Sequence, residues 1–491
     1  MITNRPSIAI VPQQLVLRLP LPRIIGPVEF REFCALWRRV EELLRAGPER
    51  DFVTRCVQRK VRTRPMTAAE QARFQLESQR ALRCTLARAL LRESLREFSC
   101  HLAESAVLQS FCLIGDLEAV RIPGHSQLQR YQYWLPEAEM RAVIMRVTQQ
   151  AQGMEAPITL GLAEPVDVST AYADSTCAEV DIHYPVDWVL LRDAVRTLIQ
   201  AVVVLREHGL KHRMPEPASF QRQMNRLCIR MTHSGKGDRG KQRRKAVLRE
   251  MKRVVQAVQA HAARYVWLVE AMPSPQGWAV AARRRMQRVL EQLPAVLHQA
   301  HERIIGERQV AAAQKVLSLQ EPDAAVITRG KAGARVEFGH SLFVVEQREG
   351  LIVDWAMPQT PQTDGALLEE GIARWQQTYG QQTIRTVVTD RGFDGSTTRL
   401  AVQEAGLTDS MCPRSARRLA ERMEDPAFRA HQRRRAQTEG RIAILKQTFL
   451  GGRLHTKGYA HHATEVAWII FAHNLWVLAR LPVAREHRLA A

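Results

Sequence analysis

RRRAQTEGRIAILKQTFLGGR, residues 433–453, holds the pattern on which the fold of this chain turns. Arg435, Glu439 and Lys446 stand four and seven positions apart. At about 100° per residue of α-helix, those steps bring the three side chains within about 40° of one another. One carboxylate and two cations then share a helical face, and Gln432, three positions before Arg435, lies close to the same stripe. An isolated Glu among cations is ordinarily a solvated face with weak ion pairs. The pattern gains meaning from what the rest of the chain brings to it.

Two upstream aspartates supply that context. TIRTVVTD (383–390) is a short apolar strand running into Asp390, and the β-branched, alternating texture of VDVSTAYADST (166–176) predicts a strand with Asp174 near its end. A strand-end Asp is often only a turn former. Two of them, converging outside a sheet edge with a helical Glu, make the oxygen-rich trio that hard divalent cations take. Asp181, Asp187 and Asp394 lie close to the same strands, and Asp187 in the HYPVD turn is an alternative to Asp174. Phe393, just after Asp390, suits either core packing or stacking on an unpaired base, with packing the more ordinary role.

Working outward, ARVEFGHSLFVVEQREGLIVDWAM (334–357) predicts a hairpin turning near Glu349–Gly350, and LLEEGIARWQQTYG (367–380) a connecting helix. Residues 187–324 carry helical periodicity with one basic, Gly-containing break, HSGKGDRGKQRRK (233–245), and read as a basic helical insertion. Its cations Lys236, Arg239, Lys241, Arg243, Arg244 and Lys245 belong either to a solvated loop or to a phosphate contact. Residues 27–150 are a helical N-terminal domain. Within it, Ser126 is placed to cap a helix exposing Gln127, Gln129 and Arg130, which fits a DNA-reading helix-turn-helix or an ordinary helical corner. Prolines 6, 12, 20 and 22 make residues 1–26 an extended arm.

At 491 residues the chain exceeds one comfortable core, so two or three packed units are expected. With 45% apolar and 25% charged residues it has a globular composition. Its 71 Lys and Arg against 50 Asp and Glu leave +21, a surplus that favours nucleic acid as a partner. The eight cysteines contain no C-x-x-C pair and read as reduced thiols. His183, His340, His455, His461 and His462 lack the spacing of a zinc site, and no phosphate-cradling G-x-x-x-x-G-K-[ST] motif occurs. No run of about 18 apolar residues and no signal pattern is seen, so the expectation is a cytosolic protein without membrane contact.

The motif resembles that of the DDE insertion-sequence transposases, whose closing signature reads Tyr-x2-Arg-x3-Glu-x6-Lys. Arg435, Glu439 and Lys446 take its last three positions, Asp390 in TDRGFDG resembles the second Asp, and Asp174 in DSTCAEVDIHYPVD the first. Gln432 stands where the family has Tyr. The stretches LREFSCHLAESAVLQSFCLIG through IPGHSQLQRY, and GGRLHTKGYAHHATEVAWIIFAHNLWVLARL, are also similar to this group.

The resemblance implies an α/β ribonuclease-H-like catalytic domain over 160–186 plus 325–482. Since 390 − 174 = 216, the helices from 187 must loop out between its first strands. It further implies two Mg2+ ions, with Mn2+ as substitute, held by Asp174, Asp390 and Glu439. Arg435, Lys446 and Gln432 would then contact DNA phosphates. The implied protein acts in the bacterial cytoplasm, at the nucleoid, without a nucleotide cofactor. It binds double-stranded DNA as a homodimer on paired element ends, cleaves there and joins 3′-hydroxyls to target DNA. A metal-dependent nuclease without strand transfer, or an inactive DNA-binding descendant, are the alternatives.

Overall fold

The computed structural model describes residues 25–114, 120–331 and 334–484. The extended arm expected over 1–26 therefore lies, but for its last two residues, outside the described residues. Eight described helices precede the first strand: α1 (Val28–Arg45), α2 (Pro48–Thr63), α3 (Ala68–Leu91), α4 (Leu95–Glu104), α5 (Ala106–Phe111), α6 (His125–Gln132), α7 (Glu137–Gln152) and α8 (Ala156–Thr159). Then follow β1 (Thr170–Glu179), α9 (Asp187–Glu207), α10 (Pro217–Thr232), α11 (Gly237–Glu270) and α12 (Gly277–Ile304). The remainder is β2 (Ala325–Lys331), β3 (Ala334–Glu346), β4 (Ile352–Ala356), α13 (Asp364–Tyr379), β5 (Thr386–Val388), α14 (Ser396–Glu404), β6 (Thr408–Asp409), α15 (Ala416–Arg422), α16 (Pro426–Ala443) and α17 (Tyr459–Leu478).

Local chemistry sets several of these boundaries. Thr67 with Glu70 and Ser94 with Glu97 form reciprocal capping boxes that start α3 and α4. Within the N-terminal helical domain the chain is broken by Arg92 in the left-handed conformation (φ 60°) after α3 and again at Ser105, which caps α5. Ser126 is not a cap: α6 begins at His125 after Gly124.

β1 is the centre of a six-stranded sheet. It runs antiparallel to β3 and parallel to β5, and β6 continues the parallel side. The long β3 pairs with β2 along its first half and with β4 along its second, the β3–β4 turn passing through Gly350 at φ +97°. β2 was not expected from the sequence. Gly339 lets β1 and β3 close up, since a Cβ there would sit 2.1 Å from the Ala178 carbonyl oxygen.

One apolar core joins the N-terminal helices to the sheet, running from Trp37, Leu86 and Ile144 through Phe343 and Trp355 to Trp468 and Phe471. α17 is buried nearly all round, packed against α3, α6 and α7 as well as β4. A second core, including Leu191, Val195, Met251, Tyr265 and Leu293, holds α9–α12 together as a bundle between β1 and β2. The basic run expected as a flexible break is mostly regular helix, because α11 starts at Gly237.

Candidate active site

The register of the two central parallel strands builds the site. Tyr172 of β1 pairs with Val388 of β5. Two residues beyond this pair stand Asp174, still within β1, and Asp390, just past the end of β5, near enough for the charge of Asp390 to act on the Asp174 carboxyl. Asp174 is not near a strand end, as expected, but in the fifth position of a ten-residue strand. β3 keeps pairing with β1 as far as Glu179, whereas β5 stops at Val388, and that early stop opens the space beside Asp174.

Asp390 turns out of β5 with its Oδ1 accepting the Gly392 N–H at 2.8 Å. Arg414 clamps the following loop, donating from Nε and Nη2 to the carbonyls of Arg391 and Gly392, each at 2.9 Å.

α16 crosses the same face of β1 and β5. Its rotation is fixed by buried Glu346, which lies opposite Tyr172 on β3. Glu346 Oε1 accepts from Arg434 Nη2 at 3.0 Å and from the Thr438 hydroxyl at 2.8 Å, while the Arg434 guanidinium lies 4.6 Å from the centre of the Tyr172 ring. Arg435 and Glu439, each one residue later, are turned by about 100° toward the aspartates. Arg435 Nε donates to Gln432 Oε1 at 3.2 Å, and Gln432 Nε2 donates to the Ser410 carbonyl at 2.8 Å. The Arg435 Nη1 atom is buried without a hydrogen bond, 3.8 Å from Glu439 Oε1.

The electrostatics report the same convergence. Burial pushes the Asp174 carboxyl up to about 6, the negative charge of Asp390 adds to it and that of Glu439 adds less, while the Ser175 N–H and Arg435 pull it back. Side chains from three distant segments of the chain thus meet at the Asp174 carboxyl.

Residues 318–475 match the family model described as a transposase DDE domain. This stretch is a DDE-class transposase domain. No curated protein and no solved structure matches the chain. Asp390, Arg435, Glu439 and Lys446 fall inside the matched span; Asp174 falls upstream. The DDE domain therefore receives its central strand β1, and with it Asp174, from outside that span.

Lys446 does not share the face expected of it. The helix widens from α to π over Ile444–Phe449, so each residue there advances less than an α-helical step. Lys446 Nζ lies 3.5 Å from Glu179 and 3.5 Å from Glu337. About 16 Å of strand separates Glu179 from Asp174, at about 3.3 Å per residue. Arg435 and Glu439 stay together, and the cation expected beside them is held elsewhere.

The other sequence candidates separate cleanly. Asp187 Oδ1 accepts from Gln299 and Arg303, both at 2.8 Å, so it anchors the inserted bundle and does not replace Asp174. Asp394 is bound to Arg399 and to the Arg414 N–H, and Asp181 pairs with Arg453. Phe393 is buried against Phe343 and unavailable for base stacking. His340 and His462 hydrogen-bond each other at 3.0 Å, His461 contacts the Lys457 carbonyl, His183 contacts Asp193, and His455 is exposed. Gln127 is not a free reading head, since its Nε2 donates to Glu77 and Tyr131; Gln129 and Arg130 are exposed. In the insertion, Lys241 and Lys245 are paired with Glu307 at 3.2 and 2.7 Å, while Arg243 is exposed and Arg244 half-buried. The eight cysteines are thiols, none of them joined in a disulfide.

The donor set fits a hard cation in part. Asp174 and Asp390 set two carboxylates side by side, one of them mostly buried, and Arg435 offsets them only partly. A divalent cation would relieve that repulsion. Glu439 is 61% exposed, and among the described residues no three His, Cys, Asp or Glu side chains are gathered as a ligand set. Glu346, Arg434, Thr438 and Arg414, which orient the cluster, were not singled out by sequence; Glu346 and Arg434 lie 88 residues apart.

Proposed function

We propose that this chain is a DNA transposase with a ribonuclease-H-like catalytic core. It binds the terminal inverted repeats of its own element, cleaves at the ends and transfers the 3′-hydroxyl strands to target DNA. The observation that carries the proposal is the convergence of Asp174, Asp390, Arg435 and Glu439 beside the end of β5, in a chain that contains a domain of the DDE family. The mixed sheet, antiparallel on one side of β1 and parallel on the other, supports the fold assignment.

In this reading Asp174 and Asp390 hold Mg2+, or Mn2+ in its place, and Glu439 completes a two-ion site when DNA is bound. The ions supply activation of the attacking oxygen and charge stabilisation at the leaving oxygen. Arg435, kept in place by Gln432, offers the accessible edge of its guanidinium to a phosphate beside the scissile bond. The protein works as a homodimer on paired double-stranded ends. Incubating the purified chain and Mg2+ with DNA bearing its element's ends tests the proposal. Cleavage with joining is expected; cleavage without joining makes it a nuclease, and neither sinks the proposal.

A further inference from the structure

α11 is 34 residues long, and between the exposed acids at its two ends, Asp238 and Glu270, its solvent face is mainly basic. Its buried residues, among them Met251, Val255, Val258, Ala262 and Val269, turn toward the other helices of the bundle. Lys252 reaches His301 of α12 on one flank, and Glu250 pairs with Arg230 of α10 on the other. Between those flanks, Arg239, Gln242, Ala246, Arg249, Arg253, Gln256, Ala260, Arg264 and Trp267 follow each other three or four residues apart, all exposed. At about 100° per residue they fall within a stripe about 100° wide that drifts around the helix, and at about 1.5 Å per residue it is about 42 Å long.

Three features give the ridge a partner. From residue 239 to 269 the sequence holds nine Lys and Arg and one acid, Glu250, which is already paired with Arg230. Among the described residues Arg239, Arg249 and Arg253 have no carboxylate partner, unlike Lys241 and Lys245, which Glu307 neutralises. Trp267 is 51% exposed, and the Arg264 guanidinium lies 4.0 Å from its ring centre, which pre-orders that cation at the end of the ridge. The intervening alanines add no bulk.

We infer that the outer face of α11 is a duplex-DNA contact surface, with Arg239, Arg249, Arg253 and Arg264 neutralising backbone phosphates. Phosphates lie about 3.4 Å apart along each strand, so a ridge of about 42 Å spans more than one helical turn. The contact reads no sequence; it adds a salt-sensitive grip outside the DDE domain. The inference rests on the DNA-transposase reading.

The test is fluorescence anisotropy of the full chain in EDTA, across a salt series, on a duplex of unrelated sequence longer than the ridge. Counterion release gives a slope of about −0.9 per phosphate contact, so R239Q/R249Q/R253Q/R264Q should flatten the log–log salt dependence by about three to four. K241Q/K245Q should leave it almost unchanged. An equal slope for the quadruple variant and the parent overturns the inference, as does equal flattening by K241Q/K245Q. So does a quadruple variant that changes only the sedimentation of the protein, which would make the ridge a contact between copies. A parent that cleaves its element ends while the quadruple variant keeps the parental slope defeats this inference alone. A parent that binds no DNA defeats the functional reading beneath it.

Discussion

Asp174→Asn should stabilise the metal-free protein at neutral pH while abolishing its chemistry. The Asp174 carboxyl is carried from 3.8 to about 6 by burial and then by Asp390. At about 1.36 kcal/mol per pH unit, ionising it in the folded state costs about 3 kcal/mol. The folded chain holds this proton more tightly than the unfolded one. Below pH about 4 both states are protonated and the cost is absent; it grows through the interval up to about 6 and is complete above it. Asn is isosteric, keeps an acceptor for the Ser175 N–H and cannot ionise. The two cores need not unfold together, so hydrogen exchange of the β1 amides in EDTA is the suitable assay. The variant should match the parent near pH 4 and exceed it by about 3 kcal/mol at pH 7. Equal protection at both pH values, or a less stable variant at pH 7, would refute the placement of Asp174 beside Asp390.

Arg434→Ala should leave Glu346 buried and short of its main partner, lowering stability by about 3 to 5 kcal/mol and misaiming Glu439; denaturant unfolding together with end cleavage checks both. Gln432→Ala releases Arg435 Nε, and the loss of one charge-assisted hydrogen bond of about 1.5 kcal/mol predicts cleavage about tenfold slower at saturating DNA, with the fold unchanged by circular dichroism. Lys446→Ala should lower the unfolding midpoint, because Glu179 and Glu337 lose a cation, yet it should flatten the salt dependence of DNA binding by much less than the slope of about 0.9 that one neutralised phosphate gives; flattening by that full amount would return Lys446 to the DNA surface.

What the sequence made legible was local. Arg435 and Glu439 are one helical turn apart, and Asp390 stands just past a short apolar strand, so local spacing singled them out. Asp174 rested mainly on resemblance, and its mid-strand position depends on how far β3 extends beside β1, a pairing across more than 160 residues of chain. Lys446 was misplaced because a π-turn leaves no mark in helical periodicity. Lys241 and Lys245 looked available because their neutralising partner, Glu307, arrives from beyond α12. The Glu346–Arg434–Thr438 network that aims α16 joins a strand to a helix far along the chain, where no motif announces it.

The most direct test is a Mg2+-dependent cleavage and joining assay on DNA carrying the element's ends, comparing the parent with Asp174→Ala, Asp390→Ala and Glu439→Ala. Cleaved and joined products are expected from the parent, none from any of the three variants, and end binding preserved in all. Full cleavage by any one of those variants would contradict the proposed site.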